Sequence, residues 1–214
     1  MSGVREKVTM VKAKLFAWAA LCSAFLIPHA WADEGMTLLP TQKGWVARIA
    51  ETVQSIQSSR SHFEQLAPDG TVSQGTVWLD RPGKMRFAFE RPETLLIVAN
   101  HGKLVYQDKE LEQVTSLPLE STPLNLLLQS KVAFSGSVSV TGFQEDGRNI
   151  HLTIVQKGKA AEGSLTLDVQ KSPLILRGWR VVDAQGQTTQ VTLSDTQFNV
   201  LMPAKLFNLP QSSD

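Results

Sequence analysis

The chain reads as a mainly β protein, an antiparallel meander of about eleven strands that curls toward closure, with one helix ahead of the strands and another among them. Three observations carry that reading. Short runs of alternating apolar and polar residues recur from Ser61 to Phe198. Turn pairs such as Asp69-Gly70, Pro82-Gly83, His101-Gly102, Asp146-Gly147 and Gln185-Gly186 punctuate them at regular intervals. Helical spacing of apolar residues appears before the first run and again after the sixth.

The first 32 residues have the order of an export signal. Arg5, Lys7, Lys12 and Lys14 form a basic stretch, Leu15 to Pro28 is apolar, and Ala30-Trp31-Ala32 offers small residues for cleavage before Asp33. The apolar run falls short of the roughly 20 residues that span a bilayer. Translation from Met1 or from Met10 gives the same mature chain. Cys22, the sole cysteine, follows Leu21 rather than a small residue, so lipidation there is not expected. Removing 32 of 214 residues leaves 182, a single domain over residues 33–214 with no thiol, held by its core alone. Four of 21 basic and one of 20 acidic residues leave with the signal, so 17 face 19 and the net charge is near −2. That balance, without a dense basic block, argues against a nucleic-acid partner.

Trp45, Ile49, Val53 and Ile56 recur at intervals of four, four and three, which predicts a helix over Thr41 to Ser59. It packs on a sheet, and a helix so packed can also cap the mouth of a barrel; the two readings are compatible. Strands are predicted at Ser61 to Leu66, Thr71 to Asp80, Lys84 to Glu90, Thr94 to Asn100, Lys103 to Gln107 and Glu112 to Leu117. The pattern then breaks at Ser121 to Gln129. Thr122 as N-cap and Pro123 at the first helical position open a short apolar helix there. Leu124, Leu127 and Leu128 share its face and Leu126 falls off it, as a core plug or as a movable lid. Strands resume at Val138 to Glu145, Arg148 to Gln156, Gly163 to Gln170, Ile175 to Asp183 and Thr188 to Phe198, with Phe207 to Pro210 as a terminal strand.

With more than about eight strands, the interior of a closed or nearly closed sheet is wider than side chains alone fill, so an apolar cavity is expected. The hairpin Gly75 to Phe89 (G-T-V-W-L-D-R-P-G-K-M-R-F-A-F) supplies its wall: Val77 and Leu79 before the turn, Met85, Phe87 and Phe89 after it. Arg81 sits at the bend. Catalytic motifs are missing: His62, His101 and His151 are scattered, and no H-E-x-x-H, Cys/His cluster or G-x-S-x-G occurs. Asp146, Asp183 and Asp195 read as turn or solvent-facing acids. No enzyme, metal or cofactor is expected.

The stretch W-L-D-R-P-G-K-M-R-F-A-F resembles the motif of the LolA family, periplasmic carriers of bacterial lipoproteins. Phe63-x-Gln65, Arg91-Pro92-Glu93, Leu104 to Val114, Thr122-Pro123-Leu124 to Leu128, Asp183 to Leu193 and Leu206-Phe207 with Pro210 resemble further family segments in order. Tyr106 and Phe87 stand where many members have tryptophan, and the chain ends short of an extension that some members carry. The resemblance implies an open, incomplete β-barrel whose helical lid (Leu124, Leu127, Leu128) covers a cavity for acyl chains. In the family the arginine of the R-P pair holds the lid through backbone carbonyls, and Arg81 occupies that place; the bland alternative is a turn-stabilising surface arginine. The implied partners are acylated lipoproteins, an inner-membrane ABC-type lipoprotein-releasing transporter and an outer-membrane acceptor lipoprotein, served by a periplasmic monomer. The same fold also hosts lipoprotein acceptors and periplasmic lipid-sensing modules; an acceptor would need a lipidated mature cysteine, and a sensor would need partner domains.

Overall fold

A computed structural model describes residues 35–211 of the chain. The expected export segment, with Cys22 and the cleavage site before Asp33, lies outside these residues.

Helix α1 spans Pro40–Ser55. Proline at the first position has its φ preset and no N–H to satisfy, and the Leu39 N–H donates to Gln42 Oε1 at 2.8 Å. Val46, Ile49 and Val53 are buried, whereas Trp45 is only half-buried, with the Arg48 guanidinium 4.4 Å from its ring centre. The helix stops short of the expected Ser59. Serine is a weak helix former, and Ser59 is already paired in the sheet on both sides, with Leu79 and with Phe198.

Eleven strands follow: β1 (Ser58–Leu66), β2 (Val72–Asp80), β3 (Lys84–Phe89), β4 (Leu95–Asn100), β5 (Lys103–Asp108), β6 (Gln113–Pro118), β7 (Val138–Asp146), β8 (Asn149–Gln156), β9 (Ser164–Lys171), β10 (Leu174–Val182) and β11 (Thr188–Phe198). They form one antiparallel sheet in the order β6-β5-β4-β3-β2-β1-β11-β10-β9-β8-β7. The single continuous meander expected from the sequence is therefore two meanders joined where β1 pairs with β11. The break falls between β6 and β7. Their connection is no hairpin turn, because it carries a 3-10 turn (Leu119–Ser121) and helix α2 (Asn125–Leu128), whose leucines go to the interior. Two edges remain. The Met36 N–H donates to Val140 O at 2.7 Å on the β7 edge, and β6 is short and ends in Pro118, which cannot donate to a further strand.

The sheet curls until its two halves touch. Phe87 on β3 and Trp179 on β10 have ring centres 6.3 Å apart, although four strand spacings separate them. In a flat sheet that separation would be about 19 Å, at about 4.8 Å per strand. The result is an open barrel. Its interior is apolar because alternate residues face it: Ile150, Leu152 and Ile154 of β8 lie opposite Val169, Leu167 and Leu165 of β9, all buried.

Phe207 to Pro210 form no strand. The chain turns in a 3-10 helix over Ala204–Phe207, and Phe207 is buried apart from the interior cluster. Arg86 Nη1 donates to Leu206 O at 3.1 Å and Asn100 Nδ2 to Phe207 O at 2.9 Å, so side chains of β3 and β4 take the carbonyls that a ladder would have used.

Candidate functional site

The β2–β3 hairpin has the expected register, with Val77 opposite Phe87, Leu79 opposite Met85 and Gly75 opposite Phe89. Gly75 is required there: a Cβ would stand 2.2 Å from the Ala88 carbonyl oxygen and 2.9 Å from the Phe63 ring. Phe63 meets Phe87 and Phe89 edge-on, each at 5.1 Å between centres. The five hairpin residues expected to line one cavity have three different placements. Phe87 faces a cavity of about 470 Å³. Val77, Leu79 and Met85 border only a void of about 20 Å³ beside Arg81 and Leu127. Phe89 lines neither and packs against Phe63. The reason is α2, which fills the space in front of the turn end of the hairpin.

The larger cavity is bounded by Ile97, Leu104, Tyr106 and Leu117 from β4–β6, by Trp179, Val181 and Val191 from β10 and β11, and by Ser121 to Leu124. Trp179, nearly fully buried, is a wall residue that strand alternation did not single out. A register shift between Leu176 and Gly178 interrupts the alternation of β10, and a Cβ on Gly178 would meet the Val191 carbonyl oxygen at 2.1 Å. A tryptophan just past such a glycine is the signal available in the sequence. Polar groups also line the cavity, among them Gln65, Thr122, Glu162, Asp183, Gln185 and Thr189. Burial, and secondarily the charge of Asp183, push the Tyr106 hydroxyl above its ordinary pKa. Asp183 is both a turn acid, accepting the Gln185 and Gln187 N–H groups at 2.9 Å, and part of this wall.

Of the expected lid face, Leu127 and Leu128 are buried and Leu124 is half-buried against the larger cavity. Leu126, expected off the face, is buried as well. Leu126, Leu127 and Leu128 are consecutive and so point in different directions, which means that the turn is enclosed on more than one side. Asn125, Leu126 and Leu127 also donate to Thr122, Pro123 and Leu124 respectively. Thr122 does not cap α2 either; its hydroxyl donates back to Leu119 O at 2.8 Å, and the N-cap position falls on Leu124.

Arg81 is 7% exposed, which removes the surface-arginine reading. Its Nε donates to Leu127 O at 2.6 Å, and its Nη1 donates to Ile56 O at 2.9 Å and to Val53 O. Val53 and Ile56 lie at the C-terminal end of α1, where the helix dipole favours a cation; Val53 O also accepts the Ile56 N–H at 3.3 Å. Burial lowers the Arg81 pKa to about 10, so it stays charged at neutral pH. Asp80, the only nearby acid in sequence, is taken by Lys84 at 2.9 Å. The Gly83 N–H, in a turn where φ is 75°, adds a bond to Leu128 O at 2.8 Å. Three elements thus meet at one guanidinium.

On the other face of the sheet, His151 places Nδ1 2.5 Å from Asp168 and Nε2 2.9 Å from Asp146, with Arg180 3.0 Å from Asp168. Burial pulls the His151 pKa down, but hydrogen bonds and charge from both aspartates outweigh it and the net shift is upward. Asp146, expected as a plain turn acid, is lowered by that partnership.

The family model described as outer membrane lipoprotein carrier protein LolA matches residues 54–210. An outer-membrane lipoprotein carrier protein of Chromohalobacter salexigens is 27% identical over 212 residues, 94% of this chain and 97% of the relative. One from Methylibium petroleiphilum is 30% identical over 199 residues, 88% of this chain and 90% of the relative. Among solved structures, a LolA superfamily protein from Nitrosomonas europaea aligns at a TM-score of 0.40 and 14% identity, over 76% of this chain and 97% of that one. With the family model matched over most of its length and relatives aligned nearly end to end, the chain belongs to the LolA family of outer membrane lipoprotein carrier proteins.

Proposed function

We propose that this protein is a periplasmic, monomeric carrier that shields the acyl chains of lipoproteins, taking them from an inner-membrane ABC-type transporter and handing them to an outer-membrane acceptor lipoprotein. One observation carries the reading: an apolar interior, open on one side as a cavity of about 470 Å³, is filled on the other by the leucines of α2, which is fastened through backbone carbonyls. Each buried CH₂ of an acyl chain contributes about 0.8 kcal/mol, so a free lipoprotein would aggregate or stick to the first membrane it met. A carrier has to bind and yet release. The cavity lies within the roughly 300–1,000 Å³ of ordinary small-ligand pockets, too small for the several chains of a lipoprotein anchor. Displacing Leu126, Leu127 and Leu128 enlarges it by joining it to the void beside Val77, Leu79 and Met85. The same leucines compete with the ligand for the wall, which holds affinity down and permits hand-off. Arg81 sets the strength of that competition.

The test is mass spectrometry of what co-purifies with the protein from a periplasmic extract. Recovery with triacylated lipoproteins is expected. Recovery with phospholipid alone, while an acceptor assay gives no lipoprotein transfer, would overturn the carrier reading.

A further inference from the structure

The connection between β6 and β7 is anchored at two points outside α2. Before it, Leu119 is buried and its N–H donates to Gly102 O at 2.8 Å. After it, Val132 and Phe134 are buried, and the backbone on either side of Lys131 is gripped by one side chain from α1. Gln54 Nε2 donates to Ser130 O at 3.2 Å, and Gln54 Oε1 accepts the Val132 N–H at 2.5 Å. The primary amide donates and accepts here at once; ionised glutamate lacks the donor and leucine lacks both.

We propose that Gln54 is a positioning residue for the lid: it pins the far end of the β6–β7 connection to α1, so that α2 leaves the cavity by pivoting at Val132. The inference rests on the carrier reading and adds where the moving part ends. The two fastenings differ in what they hold. Arg81 and the Gly83 N–H reach the carbonyls of Leu127 and Leu128, inside the segment that an acyl chain must displace. Arg81 also keeps bonds to Val53 O and Ile56 O, so it can release Leu127 without losing its place on α1. Gln54 instead holds backbone whose next side chains, Val132 and Phe134, are themselves sunk in the core. Moving that point would break two hydrogen bonds and withdraw two apolar groups, for no gain in cavity wall. A fixed pivot also preserves the memory of the closed state, because α2 returns along one arc.

Two amides report the two fastenings separately: Gly83, bonded to Leu128 O, and Val132, bonded to Gln54 Oε1. Hydrogen exchange of the purified protein is followed residue by residue by NMR, empty and loaded with a synthetic tripalmitoylated cysteinyl peptide. On loading, Gly83 is expected to lose protection while Val132 keeps it. Gln54→Leu should speed Val132 exchange in the empty protein by about tenfold, the loss of one such hydrogen bond, and in the loaded variant both amides should open together. Gln54→Glu retains the acceptor and should restore protection at Val132. Opening of both amides in the loaded wild type, or continued Val132 protection in loaded Gln54→Leu, overturns the pivot while leaving the carrier intact. Unchanged Gly83 protection on loading, or no uptake of the peptide, overturns the displaceable lid and the pivot with it.

Discussion

Arg81 Nε reaches the carbonyl oxygen of Leu127 at 2.6 Å across 46 residues of sequence, and with the Gly83 N–H to Leu128 O it ties the β2–β3 turn to the helix that plugs the interior. The same guanidinium closes the C-terminal end of α1. Substitution with leucine leaves the Leu127 and Ile56 carbonyls without their donor, while Val53 O keeps the Ile56 N–H, at a cost of about 1–3 kcal/mol for each group that finds no water. Much of that cost falls on the closed, empty state. Arg81→Leu should therefore take up acyl probes at least as well as the wild type and hold them up to about tenfold more tightly, for each 1.4 kcal/mol lost by the empty form. Transfer to an acceptor should slow. Transfer at the wild-type rate would show that the bond to Leu127 does not set the competition.

Phe87 is the one hairpin residue that borders the larger cavity, and Ala88 next to it points to the opposite face. Phe87→Glu would set a carboxylate among apolar groups at a cost of several kcal/mol unless water reaches it. Water can enter the empty cavity but not one packed with acyl chains. Circular dichroism should find Phe87→Glu folded, with acyl-probe binding lost, and Ala88→Glu close to wild type in both respects. Equal probe binding by the two variants would remove this face from the site.

Tyr106 is the only tyrosine of the chain, so tyrosinate absorbance follows it alone. Its raised pKa places the titration midpoint above 10, and Asp183→Asn should lower the midpoint part of the way, since burial is the larger cause. Loading the cavity should raise it further. Because the folded-state pKa lies above the unfolded one, the neutral phenol favours the fold at neutral pH, and that contribution fades only as pH climbs from 10 through the folded value. A midpoint unmoved by ligand would place acyl chains away from Tyr106.

His151 bridges Asp146 on β7 and Asp168 on β9, and its raised pKa belongs to the folded state. Its stabilising contribution is complete below the ordinary value of about 6.5 and disappears as pH rises through the folded value. Melting curves from pH 5 to 9 should therefore separate wild type from His151→Gln most at the acid end and least at the alkaline end. A gap independent of pH would mean that the imidazole acts only by packing.

The sequence by itself determined most of the strands, because side-chain alternation and turn residues are local. Pro82-Gly83 and Asp146-Gly147 mark their hairpins wherever the rest of the chain goes, and Ile150, Leu152 and Ile154 can only face an interior. It also pointed to Arg81, an arginine at the edge of an apolar face with no carboxylate near it in sequence beyond Asp80. Only the tertiary structure decided which strands meet. The pairing of β1 with β11 and the contact of Phe87 with Trp179 depend on groups distant in sequence, and no local pattern encodes them. The same holds for the division of the hairpin wall. Val77, Leu79, Met85 and Phe87 are equivalent by alternation, and they differ only because α2 lies over the first three. Gln54 carried no signal for the same reason: a polar residue on a helix becomes a clamp only when a buried backbone N–H and a nearby carbonyl, 78 and 76 residues away, come to stand opposite its amide.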